Sequence, residues 1–156
     1  RGGLVFYQSE PIISTNFIMQ NDAPGIFSLS SSYPIMVEEG INRVSENGDP
    51  TEDDPEIMVK DISFPILEGG HNDIMDSTGG YLIYGDEDPR DIEIDITYNY
   101  WGTTDKEEIA ERVFRPSGFI FEPFDEEPNT EYSAGSGGGD EMFATALSAE
   151  TDSNYV

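Results

Sequence analysis

The chain has 156 residues, the size of one ordinary domain, of which 36% are hydrophobic and 12% aromatic. Its formal charge is −26, from 33 acidic and 7 basic residues, and it has no cysteine. Such a charge disfavours nucleic acid and anionic membranes as partners, and the lack of cysteine excludes disulfides and thiolate metal sites. No apolar run reaches the roughly 18 residues of a membrane-spanning helix. We therefore expect a folded protein, secreted or exposed on a cell surface, whose counterparts are cations.

Four segments of the chain share one pattern, in which a short apolar run is followed by a proline and a second apolar run. They begin 22, 31 and 24 residues apart, at Gly3, Gly25, Glu56 and Gly80. The longest interval contains residues 48–54, which have the composition of an acidic loop insertion. A repeat of this length predicts an architecture of stacked structural units.

An asparagine recurs once in each segment, two residues before an apolar residue. The four are Asn16, Asn42, Asn72 and Asn99. Asparagine tolerates the left-handed backbone region and its amide can hydrogen-bond to identical side chains in a stack. We therefore assign these residues a structural role, at a turn that recurs in every repeat.

The repeat predicts an all-β fold, a right-handed parallel β-helix of about four to five coils of 22–24 residues. Apolar runs this short are strands rather than helices, and three of them complete one coil. A single coil cannot bury its inner face, so stacking must supply the core. An antiparallel β-sandwich is the alternative, and Asn47-Gly48, a dipeptide typical of hairpin turns, supports it.

The sequence from residue 97 to residue 124 resembles the C-terminal end of bacterial parallel β-helix proteins of the pectin-lyase-like superfamily. Its Asn99-Tyr100-Trp101-Gly102 turn precedes a predicted helix at about 104–115 and a closing strand at 119–124. The resemblance implies β-helix coils with a cap over 1–124, and secretion. It gives Trp101 and Gly102 structural roles. Residues 125–156, acidic and then glycine-rich, are predicted to form a linker or tail.

Two kinds of ligand site are predicted. Oxygen-rich loops suit Ca²⁺, although a solvated acidic loop explains the same residues. The candidate calcium ligands are Asp49, Glu52, Asp53, Asp54, Asp86 and Asp88. Tyr81 and Tyr84 are the candidate aromatic residues for stacking against a sugar.

Two functions are compatible with the sequence. The first is a non-catalytic secreted or surface module, structural, adhesive or glycan-binding, from the C-terminal part of a larger protein. The second is the end of a polysaccharide lyase or glycoside hydrolase whose groove lies in upstream coils. No catalytic residue is assigned. The strand-like start at residues 3–7 predicts a partner protein or further coils at that edge.

Overall fold

The chain folds as a parallel β-solenoid of about four turns, described by a computed structural model over residues 3–37, 41–49, 54–86 and 92–129. Each turn contributes strands of only two to four residues, as the short apolar runs predict. The elements are β1 (Leu4–Tyr7), β2 (Phe17–Met19), β3 (Ile26–Leu29), β4 (Arg43–Ser45), β5 (Ile57–Val59), β6 (Asp73–Met75), β7 (Ile83–Gly85), β8 (Ile94–Asp95), α1 (Lys106–Arg112), β9 (Val113–Phe114) and β10 (Phe119–Ile120).

The strands form three parallel stacks around a common core. The front sheet has the order β1-β3-β5-β7-β9, and the side sheet has the order β2-β4-β6. The third stack consists of the parallel bridges that join Ile12, Ile35 and Ile66, together with the pair β8 and β10. Every strand pairing in the described residues is parallel. This excludes the antiparallel sandwich, and Asn47-Gly48 lies at a coil corner rather than in a hairpin.

Stacked aliphatic side chains fill the interior of the solenoid. In the front sheet one inward row runs through all five strands, and its members are Leu4, Ile26, Ile57, Ile83 and Val113. Full burial of such a side chain, as at Ile26, Ile57 and Ile83, stabilises the fold by about 1.5–3 kcal/mol. Trp101, which is fully buried, packs in the same core. The core therefore depends on neighbouring coils, since each coil covers the next.

The four repeated asparagines form one hydrogen-bonded ladder along the solenoid. The side-chain oxygen of Asn72 accepts from the backbone N–H and the side-chain amide of Asn42, at 3.0 and 2.9 Å. Asn99 accepts in the same way from Asn72, and Asn42 from Asn16. Each side-chain oxygen accepts from the asparagine of the preceding coil, so all the hydrogen bonds of the ladder point the same way along the solenoid.

A second ladder runs along another corner and ends in a carboxylate. Asn47 accepts from the backbone and side-chain amides of Asn21. Asn47 in turn donates its backbone N–H and its side-chain amide to the two carboxylate oxygens of Glu56. Glu56, which is fully buried, therefore accepts the two hydrogen bonds that a third asparagine would accept.

The helix α1 is shorter than the predicted range of 104–115. Its N-cap is Asp105, whose carboxylate accepts from the backbone N–H groups of Glu107 and Glu108. Val113 and Phe114, which the helical spacing places on an apolar helix face, leave the helix and pair with β7. The open edge of β7 offers backbone partners there, so pairing in the sheet prevails over helix propensity.

The last strand of the front sheet places an arginine inside the solenoid. Arg115 is 5% exposed and continues the alternation in which Val113 is buried and Phe114 is exposed. A Cβ atom on Gly85 would lie 3.1 Å from the Arg115 side chain, so the glycine leaves room for it. Arg115 donates to the carbonyl of Ile92. The apolar interior therefore ends at this coil.

Candidate functional site

A tight loop between β6 and β7 forms one wall of the candidate site. The Asp76 carboxylate accepts from the backbone N–H of Thr78 at 3.0 Å and from that of Gly80 at 2.7 Å. Gly79, between them, has a φ of +92°, which an L-residue rarely adopts. The loop therefore has a defined conformation, fixed by one side chain and one glycine.

Arg112, the last residue of α1, ties this loop to the helix. Its Nε donates to the carbonyl of Gly80 at 2.8 Å, and its Nη2 lies 2.9 Å from the Asp76 carboxylate. Burial alone raises the pKa of Asp76. The hydrogen bonds from Thr78 and Gly80 and the charge of Arg112 outweigh burial, so the pKa of Asp76 is lowered. The ion pair therefore stays charged at neutral pH and holds the two elements together.

A cavity of about 270 Å³ opens between the loop and the helix. It is lined by Gly79, Gly80, Tyr81, Glu111 and Arg112. We call it the Tyr81 pocket. Its lining combines a tyrosine, a carboxylate, a guanidinium and two glycines, so the pocket is mainly polar with one aromatic residue.

Three aromatic rings pack beside the pocket. The Tyr84 and Phe114 rings stack with their centroids 5.2 Å apart, and Tyr81 meets Tyr84 edge to face at the same distance. Tyr81 and Phe114 are 6.1 Å apart. The stacked contact covers one face of the Tyr84 ring. Of the two predicted sugar-stacking residues, Tyr81 lines the pocket, and Tyr84 packs against Tyr81 without lining it.

The described lining of the pocket contains one carboxylate and one guanidinium. Hydrolysis of a glycosidic bond uses two carboxyl groups about 5–10 Å apart on either side of the bond. In the described lining Glu111 is the one carboxylate. The Arg112 guanidinium is engaged by Asp76, Gly80 and Glu108. The groups that remain for a ligand are hydrogen-bonding groups and an aromatic surface.

The candidate calcium ligands lie only partly within the described residues. The backbone N–H of Asp49 donates to the Asp54 carboxylate at 3.4 Å, across the base of the acidic insertion. Asp86 follows β7, where its N–H donates to Val59. Glu52, Asp53 and Asp88 lie outside the described residues. Within those residues no group of three or more acidic, histidine or cysteine side chains is placed to hold a metal ion, and calcium binding stays a prediction.

Glu111 and Arg112 are the site residues that sequence reasoning missed. In the sequence they belong to a helix about 30 positions after Tyr81, where they indicate only a charged helix face. The local signal was in the loop, because Asp76, two residues before Thr78 and followed by Gly79-Gly80, is typical of a side-chain-stabilised turn. That signal locates one wall of the pocket but not the other.

Searches of protein-family models, of curated proteins and of solved structures found no match to this chain. Within the described residues the helix α1 has seven residues and falls far short of a bilayer-crossing segment. The functional inference therefore depends on the geometry of the solenoid and its pocket.

Proposed function

We propose that this chain is a non-catalytic, secreted or cell-surface β-solenoid module that binds glycans through the Tyr81 pocket. The observation behind the proposal is the cavity of about 270 Å³ whose lining includes Tyr81, Glu111 and the glycine pair Gly79-Gly80. A pyranose ring has apolar C–H faces and polar hydroxyls at its rim. An aromatic wall beside hydrogen-bonding groups is complementary to both.

The charge of the chain supports a neutral sugar and an extracellular location. A net charge of −26 repels acidic polysaccharides unless cations intervene. A strongly acidic, cysteine-free chain is also compatible with saline surroundings, where salt screens the repulsion. The resemblance to bacterial pectin-lyase-like proteins is in keeping with a secreted bacterial protein. The outer edges of β1 and β2 would be covered by upstream coils or by a partner protein.

Replacing Tyr81 by Ala is expected to weaken the binding of a neutral oligosaccharide at least tenfold, since truncation of a central aromatic contact costs about 2 kcal/mol. Isothermal calorimetry with cellobiose and cellohexaose measures this. Tyr98→Ala is the matched control, because Tyr98 is 46% exposed and does not line the pocket. Unchanged affinity in the Tyr81 variant, or equal losses in both variants, would contradict the proposal.

The second candidate is the C-terminal end of a carbohydrate-active enzyme. The parallel solenoid with a helix near its end is the observation that favours it, since polysaccharide lyases occur in the superfamily that the sequence resembles. Release of new reducing ends or unsaturated products from polysaccharides by the intact protein would decide for this candidate. Binding without product release supports the non-catalytic module.

A further inference from the structure

Residues 125–129, which follow the last strand, reach the outer face of the side sheet, and we call them the latch. At its start the Asp125 N–H donates to the Asn99 carbonyl at 3.0 Å, and the Asp125 carboxylate lies 2.8 Å from the His71 Nδ1. At its end the Asn129 N–H donates to the Asp73 carboxylate, in β6, at 2.9 Å. The latch is therefore attached to the solenoid at both ends, and titratable side chains take part at each.

The latch contacts a carboxylate that the strand pattern directs outward. Asp73 alternates with Ile74, which packs in the core, so the Asp73 side chain points away from it. Strand pairing places Phe17, Arg43 and Asp73 in one outward row of the side sheet. Phe17 is 56% exposed in this row, whereas Asp73 is 1% exposed. The burial of Asp73 therefore comes in part from residues that lie over the row, among them the latch.

The charged and titratable groups around Asp73 come from three elements. Arg43 is its neighbour in β4, Tyr100 is its bridge partner in the next coil, and Asp125 belongs to the latch. One Asp73 oxygen accepts from Asn129, while Oδ2 is buried without a hydrogen-bond partner. Burial raises the pKa of Asp73 to about 6, against the Asn129 hydrogen bond and the charge of Arg43, and the charge of Asp125 adds a smaller increase.

We propose that the latch is a proton-controlled device, closed on the side sheet in mildly acidic surroundings and lifted from it in neutral to alkaline ones. Two groups act in the same direction. Lifting returns the Asp73 carboxylate to water, which favours its ionised form, so ionisation opens the latch. A protonated His71 imidazole attracts the Asp125 carboxylate, whereas a neutral imidazole offers only a hydrogen bond, so loss of that proton also weakens closure.

Proton linkage gives the size of the effect at Asp73. Its pKa is about 6 with the latch closed, and exposure returns the pKa toward the ordinary 3.8. The closed form therefore binds the proton more tightly, so closure is favoured fully below about pH 4 and this advantage is lost as the pH rises through 6. Between about pH 5 and pH 7.5 the ratio of closed to open latch falls about tenfold.

Hydrogen exchange in the intact chain, followed residue by residue by NMR, tests the latch. The protection factors of the Asp125 and Asn129 amides are expected to fall about tenfold between about pH 5 and pH 7.5. Asp73→Asn keeps an oxygen that accepts from Asn129 but has no charge, so it should remove most of this fall. Asp61→Asn is the matched control, because Asp61 is exposed at another corner, and should leave the fall unchanged. The Ile57 amide, inside the front sheet, reports unfolding of the whole solenoid.

His71→Gln is the second variant, because the His71 side chain is 54% exposed and its replacement leaves the core intact. Glutamine keeps a hydrogen-bonding side chain without the charge, so the protection factor of Asp125 at about pH 5 is expected to fall about threefold. The proposal is overturned if the latch amides are equally protected at both pH values, if their fall persists in Asp73→Asn, or if they exchange only as fast as the Ile57 amide. Unchanged protection of Asp125 in His71→Gln overturns it as well, whether or not Asp73→Asn folds.

Discussion

Asn72→Asp is expected to lower the free energy of unfolding at pH 7 by about 4 kcal/mol or more. Asn72 is fully buried and its amide donates to the Asn99 side-chain oxygen at 2.9 Å and to the Met36 carbonyl at 2.8 Å. The aspartate side chain can still accept from Asn42 but has no N–H to donate. The Asn99 side-chain oxygen and the Met36 carbonyl oxygen therefore lose this donor and lie beside a carboxylate instead. Each lost buried partner costs about 1–3 kcal/mol, and a buried carboxylate without a cation adds to this.

Urea denaturation followed by circular dichroism measures the loss. Asn16→Asp makes the same chemical change at the exposed end of the same ladder, where we expect less than about 1 kcal/mol. Lowering the pH protonates the new carboxyl group, so the Asn72 variant should recover part of its stability near pH 5. Similar stabilities of the two variants at pH 7 would show that the ladder contributes little to stability.

The free energy of unfolding is expected to fall by about 3 kcal/mol between pH 4.5 and pH 7 because of Glu56 alone. Burial, with a smaller effect from the charges of Asp76 and Glu46, raises the pKa of Glu56 from 4.5 to about 7, against the hydrogen bonds from Asn47. The folded chain therefore binds the proton more tightly than the unfolded chain. This contribution is complete below pH 4.5 and is lost as the pH rises through 7, at about 1.4 kcal/mol per pKa unit.

Thermal and urea unfolding between pH 4.5 and pH 8 measure this dependence. Glu56→Gln removes the titrating group, so the free energy of unfolding should fall by about 3 kcal/mol less across this pH range than in the parent chain. Glu93→Gln removes one charge from an exposed position and should leave the slope unchanged. Burial also raises the pKa of Asp73 to about 6, so some dependence of the same sign remains in both variants. Identical slopes for the parent and Glu56→Gln would refute the role of Glu56.

The fold could be predicted because the same sequence pattern occurs in four segments of the chain. Each coil has to place apolar residues inside and an asparagine at the same corner, so the four copies of the pattern support one another. The predicted all-β parallel solenoid is confirmed, with a single short helix in the described residues. Asn16, Asn42, Asn72 and Asn99 do stack in the ladder that their spacing suggested.

Two features escaped prediction because they depend on contacts between distant parts of the chain. The second ladder has only two asparagines, Asn21 and Asn47, and ends at Glu56 on the other side of the acidic insertion, so the asparagine spacing does not continue into the next coil. The pocket joins the loop before Tyr81 to a helix that follows the next coil. The spacing of repeated residues along the sequence indicates which residues belong to one coil. It does not indicate which side chains of different coils line the same cavity.

The charged side chain inside the last coil limits how such a solenoid can change its length in evolution. Between β1 and β7 one inward row of the front sheet is aliphatic and the other, with Phe6, Ser28, Val59 and Gly85, has no charged side chain, so a duplicated coil can be inserted there with its core intact. Beyond Gly85, a further coil has to pack on the Arg115 guanidinium and its polar contact. Homologues that share this glycine and arginine should therefore gain or lose coils before this pair and keep a constant number after it.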